Sequence, residues 1–225
     1  GTVGSFLEDQ KVQNPFTIDT SWLCVGHVDE ISSWIPDSNS ALGYKLIVAD
    51  VPSALALIDT LDPNLELPRY SAHGFDTVSD MRSNAAFRAE NEDIQDDYLT
   101  PMVSAFKAAT GISDADIIRV PALFEDVGCG MAALIPGTVN LIVTGSGSQT
   151  HLFIPDPSFR SSIDQGSDPF ISKFNSLWPE SLIPHYLDDW YSYHELLGEV
   201  HCGTNVQRTP IANWWQEAMH LVEAN

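Results

Sequence analysis

The stretch Gly198-Glu199-Val200-His201-Cys202-Gly203-Thr204-Asn205 sets a thiol between an imidazole and a glycine, directly after an apolar, aromatic-rich run. Its complement lies far upstream, in Val25-Gly26-His27-Val28-Asp29-Glu30. Trp22 to Val28 reads as a buried strand, and residues two apart in a strand share a face. His27 and Asp29 are therefore expected to project together, with Val25 beside them. A Cys, a His and an Asp, distant in sequence and joined by folding, are the minimal kit for thiol nucleophilic catalysis.

The chain has 225 residues, 44% of them apolar, enough to bury a substantial core in one large or two small domains. Ten Lys and Arg stand against 31 Asp and Glu, a formal net charge of −21. That balance repels nucleic acid and anionic membrane surfaces, and suits either a cationic substrate or plain solubility. Three cysteines, Cys24, Cys129 and Cys202, with no CxxC, do not describe a disulfide scaffold, so Cys24 and Cys129 are expected to be packing residues. No apolar run approaches the ~20 residues of a membrane span. Gly1-Thr2-Val3-Gly4 lacks the basic head and apolar core of a signal peptide, and one removed upstream would leave no trace. The compartment, cytoplasmic or secreted, stays open.

Along the chain, Ser5 to Val12 reads as the end of a helix stopped by Pro15, and Phe16 to Asp19 as a short strand. Glu30 to Ile35 suggests a helical turn. Tyr44 to Asp50, with its continuous apolar centre, is a strand, and Pro52-Ser53 opens a helix through Asp59. Asp62 to Val78 is loop-like. Asp80 to Thr110 is the longest helical region, bent near Pro101 and capped by Gly111. Ile117 to Val120, Val139 to Val143 and Ile183 to Leu187 read as strands, Gly128 to Gly130 as a turn, Phe170 to Trp178 and Trp214 to Val222 as helices. The Gly145-Ser146-Gly147-Ser148 loop matches no phosphate cradle. Alternating strands and helices point to an α/β arrangement.

At His27-Val28-Asp29 and His201-Cys202-Gly203-Thr204-Asn205 the chain resembles the protein-arginine deiminases. Gln10 to Gln13, Trp22-Leu23, Val139-Asn140 and Trp214-Trp215 support the likeness over most of the chain. The resemblance implies the pentein fold, a five-bladed pseudo-symmetric α/β propeller with its catalytic pocket at the centre. Residues 1–225 would form the C-terminal portion of that catalytic domain, roughly three blades, the N-terminal portion being absent from this sequence or on another chain. It implies calcium as cofactor, with ligands upstream of Gly1, where the second guanidinium-binding Asp would also lie. Leu196-Leu197 stand where the relatives carry an Arg-His pair, the Arg of which grips the substrate backbone.

With the resemblance, Cys202 becomes the nucleophile, and His27 the acid that protonates departing ammonia and then the base that activates water. Asp29 would hold the guanidinium in a charge-assisted pair, and Val25 would contribute a carbonyl or an apolar wall. His201 and Glu199 would shape the site rather than react. No metal site is expected: His73, His151, His185, His194 and His220 lack ligand spacing, and a zinc site of His27, Asp29 and Cys202 lacks a supporting partner. The function implied is conversion of an arginine guanidinium to citrulline, on a protein, peptide or small guanidine. A small-guanidine hydrolase or amidinotransferase of the same superfold and a non-catalytic acidic binding module are the alternatives.

Overall fold

The structure, a computed structural model, describes residues 2–10, 15–146, 149–162 and 167–207. Among them the first element is helix α1 (Thr2–Asp9). The first sheet has the order β1 (Ser32–Pro36), β2 (Tyr44–Asp50), β3 (Ile117–Pro121). β1 runs antiparallel to β2, and β2 parallel to β3. The central strand is buried at Leu46, Ile47, Val48 and Ala49, because helices and loops cover both of its faces.

The crossover from β2 to β3 carries α2 (Val51–Ile58), α3 (Val78–Ser83), α4 (Ala85–Ile94), a π-helical turn (Gln95–Leu99) and α5 (Thr100–Thr110). Asp50 caps α2 by accepting from Ser53 N at 3.0 Å, and Asn84 caps α4 through Phe87 N at 3.1 Å. The expected long helix is thus interrupted at Asn84 and again by the π turn. Pro101 does not break it, since it sits in the first turn of α5, where its missing N–H costs nothing. Gly111, at φ 72°, closes α5 as expected. The side chain of the fully buried Asn91 on α4 bonds Phe124 on both backbone groups, N at 2.8 Å and O at 2.9 Å. It does for β4 (Phe124–Asp126) what a neighbouring strand would.

β4 pairs with β5 (Met131–Ala133) as a hairpin. The third sheet has the order β6 (Ile142–Ser146), β7 (Gln149–Pro155), β8 (Leu182–Leu187), with α6 (Pro169–Asn175) in the β7–β8 crossover. Again the first pair is antiparallel and the second parallel. The chain therefore uses one connection order twice, strand-strand-helix-strand, in a mixed α/β fold of three small sheets.

Five expectations change. Phe16 to Asp19 is irregular, and Glu30 to Ile35 enters strand β1 rather than a helical turn, its Ser32, Trp34 and Pro36 pairing with Val48, Leu46 and Tyr44. The strand expected at Val139 to Val143 begins only at Ile142, and Gly145 and Ser146 belong to it. Trp22 to Val28 is not a strand: only Leu23 forms a bridge, to Met131, and Val28–Glu30 is a 3₁₀ turn. Gly26, at φ 81°, breaks any extension there. Finally, Cys24 and Cys129 are bonded to each other, their Cα atoms 5.0 Å apart across a separation of 105 residues. Gly130 makes the approach possible, because a Cβ there would stand 2.9 Å from Cys24 N and Trp22 O. Lys11 and Val12, Gly147 and Ser148, and the Trp214 to Val222 helix lie outside the described residues.

Candidate active site

After β8 the chain turns through Asp188 to Tyr191. Arg69 grips Asp188 with two bonds of 2.9 and 2.7 Å, and its guanidinium lies over the rings of Trp190 and Tyr191 at 5.4 and 4.9 Å. A 3₁₀ turn, His194–Leu196, follows and ends at Leu197 with φ 63°. Gly198 N donates to Tyr193 O at 3.0 Å, Gly203 N to Glu199 O at 3.0 Å and Thr204 N to His201 O at 3.1 Å. Tyr193 packs against Gly203 so closely that a Cβ would lie 2.3 Å from its ring, so a side chain here would have to displace that ring. The tight loop presents Cys202 exposed, with its thiol outside any disulfide.

Upstream, Thr20 Oγ1 donates to Gly26 O at 2.8 Å and His27 N donates to Glu30 Oε1 at 2.5 Å, which fixes the loop ahead of the 3₁₀ turn. Burial pushes the Glu30 carboxyl up, against the lowering effect of that N–H bond. Asp29 Oδ2 accepts from His201 Nδ1 at 2.6 Å and from Asn140 Nδ2 at 3.0 Å. The other end of the same amide, Asn140 Oδ1, accepts from His201 N at 3.0 Å and Cys202 N at 3.3 Å. Two segments 172 residues apart in sequence are joined by one side chain and one imidazole.

His27, Asp29 and His201 line one open groove of about 880 Å³, walled by Phe16, Ile18 and Trp34. Cys202 lines a separate cavity of about 30 Å³ with Glu30, Asn140, His194 and Glu199. Asp29 and Cys202 are thus brought to either side of Asn140 and His201, and His27 shares the groove with Asp29. Val25 is 40% exposed and lines neither space. Its expected place beside His27 and Asp29 rested on a strand that does not form.

Behind the Cys202 loop, Glu199 Oε1 accepts from Gly137 N and from His194 Nδ1, each at 2.8 Å. Gly137 opens the turn that presents Asn140, whose N donates to Gly137 O at 2.9 Å. Glu199 Oε2 and both oxygens of Asp189 are buried with no donor among the described residues. Burial, and then the charge of Glu199, push the Asp189 carboxyl up to about 8. Asp189 therefore holds a proton at neutral pH. Among the described residues no group of three His, Cys, Asp or Glu could hold a metal. The donors present do not fit the calcium that the resemblance implies, and no step below runs through that ion.

Asn140, Gly137, His194 and Asp189 were not among the candidate site residues read from sequence. Val139-Asn140 was the single signal, since it stood among the matching runs. Within the strand expected at Val139 to Val143, Asn140 carries no mark of its role until its partners are known.

A loop-borne free thiol, linked through one asparagine to a hydrogen-bonded aspartate and carried on a mixed α/β scaffold, narrows the class of protein. The profile of the family described as Protein-arginine deiminase (PAD) matches residues 1–216. The chain belongs to the protein-arginine deiminase family. It is 33% identical over 223 residues to "Protein-arginine deiminase type-1" of Mus musculus, covering 95% of this chain and 32% of that protein. It is 32% identical to the Homo sapiens type-1 protein over 226 residues, with the same coverage. Against "Protein-arginine deiminase type-4" of Rattus norvegicus it is 33% identical over 221 residues, 93% of this chain and 32% of the relative. The chain thus spans about a third of the length of the curated relatives it matches.

Proposed function

We propose that this chain is the C-terminal portion of the catalytic domain of an arginine deiminase, which converts a guanidinium to a ureido group with release of ammonia. The observation that carries the reading is the bridge from Asp29 through Asn140 to the backbone of Cys202. It ties a carboxylate suited to a guanidinium to a thiol suited to attack its carbon. Asp29 orients the cation and offsets its charge. The Cys202 thiolate adds to the guanidinium carbon, and the C–N bond to one terminal nitrogen breaks as His27 delivers a proton to the leaving ammonia. Water deprotonated by His27 then displaces the sulfur of the S-alkylthiouronium, giving the ureido product and the thiolate again. Membership of the family supports each step; the relatives' names specify protein-bound arginine.

In the same reading the two strand-strand-helix-strand units are propeller blades. Together with the β4–β5 hairpin they make the roughly three blades that this chain contributes to five. The remaining blades, the second guanidinium-binding carboxylate and the calcium ligands belong to the two thirds of the relatives' length that this chain does not span.

The test uses the natural full-length protein. Cys202→Ser should leave folding intact and abolish ammonia release, because a hydroxyl is a far weaker nucleophile than a thiolate at neutral pH. Release within about tenfold of wild type would remove Cys202 from the chemistry. Transfer of the amidine to an added amine, in place of ammonia, would point to an amidinotransferase.

A further inference from the structure

We infer that Asn140 is a positioning residue for this reaction, setting Asp29 and Cys202 in register through the two ends of a single amide. The inference rests on the reading of Asp29 and Cys202 given above and adds to it. Its donor end meets Asp29 Oδ2 at 3.0 Å and Asp29 O at 3.4 Å. Its acceptor end meets the backbone N–H of His201 at 3.0 Å and of Cys202 at 3.3 Å. Its own carbonyl accepts from His201 N at 3.2 Å. The amide plane therefore sets the spacing between the cation-binding carboxylate and the nucleophile's backbone. Asn140 is itself 1% exposed, so water does not compete for these bonds.

The position is supported from behind. Gly137 N is held by Glu199, and Asn140 N by Gly137 O, so the turn cannot rotate the amide away. Asn is also the residue the geometry requires. Leu has no polar end, and Asp would turn a second carboxylate on Asp29 in place of the donor. Neither Asn140 nor Gly137 needs to touch substrate for this role.

The experiment compares two alkylating agents on Cys202 in the natural full-length protein. Iodoacetamide is neutral and needs only an accessible thiol. Chloroacetamidine is a cation that gains from a correctly placed Asp29. Wild type should react faster with the amidine than the neutral reagent predicts. Asn140→Ala should lower that amidine preference at least tenfold and kcat/KM for an arginine substrate about a hundredfold, as a displacement near 1 Å can do. Its iodoacetamide rate should stay within about threefold of wild type, the thiol remaining exposed. Asn140→Asp keeps the shape and the acceptor for Cys202 N and loses the donor to Asp29. It should lose the amidine preference too, and it serves if the Ala variant does not fold. A folded Asn140→Ala or Asn140→Asp protein that keeps the wild-type preference overturns the inference, as does an equal fall of both rates. A wild type with no amidine preference overturns the reading of the site itself, and this inference with it.

Discussion

Replacing Asp189 with Asn should change how stability depends on pH. In the folded chain the Asp189 carboxyl keeps its proton up to about 8, through burial and the facing charge of Glu199. In the unfolded chain an Asp loses it near ~3.9. Between those values the folded state binds the extra proton, so stability is full below the unfolded value and is lost as pH rises through the folded one. A whole proton corresponds to about 1.4 kcal/mol per pH unit. Half that slope, about 0.7 kcal/mol per unit, is taken as a conservative expectation for one buried carboxyl. Asn is neutral at every pH, so the variant escapes the loss. Thermal melts of wild type and Asp189→Asn at pH 5, 6 and 7 should diverge in the variant's favour by about 1.4 kcal/mol, or ~3–6 °C in Tm. Titrating groups away from this pair are common to both proteins and cancel. Parallel Tm curves over this range would refute the raised Asp189 carboxyl.

Asp29→Asn should lower kcat/KM for an arginine substrate by the equivalent of about 2–5 kcal/mol, since a charge-assisted pair with the cation is lost; unchanged steady-state kinetics would place Asp29 outside the site. Cys24→Ser with Cys129→Ser should cost about 2–5 kcal/mol in urea unfolding, because the bond closes a long loop. Without reductant, alkylation of the unfolded wild type should tag one of its three cysteines, and a mass showing three tags would exclude the bond. Leu196 is 76% exposed beside the Cys202 loop and offers no donor to a peptide carbonyl. On the function proposed, the full-length protein is expected to favour free or chain-end arginine over internal arginine by roughly ten- to a hundredfold, the worth of ~1.5–3 kcal/mol in lost charged hydrogen bonds. Leu196→Arg should narrow that gap, and a wild type that prefers internal arginine would sink the idea.

Much of the scaffold was legible because it obeys local rules. Tyr44 to Asp50 is a strand with a continuous apolar centre, Pro52 opens a helix that Asp50 caps, and Gly111 ends another. The Cys202 motif was equally legible, being contiguous. The segment carrying His27 and Asp29 was misread for a physical reason. Its apolar run Trp22 to Val25 imitates a strand, yet it packs through Trp22 against Tyr98 and Phe124 instead of pairing along a ladder. Only the turn at Gly26 betrays this. The pairing of Cys24 with Cys129 leaves no local mark, since it depends on how the β4–β5 turn meets that segment. Asn140 and Asp189 escaped notice because their roles consist of partners 62 or 10 residues away rather than of any pattern nearby.

The disulfide and the free thiol place opposite demands on a biochemist's buffer. Dithiothreitol, added to keep Cys202 reduced, also cleaves Cys24 from Cys129 and unties the segment that leads into His27 and Asp29. An oxidant that protects that tether leaves Cys202 open to sulfenic acid or to a mixed disulfide. On the function proposed, activity followed against reductant concentration should therefore rise and then fall, and the crest marks the conditions in which tether and free thiol coexist. Rates measured far to the reducing side belong to a differently wired molecule, however clean its chromatogram.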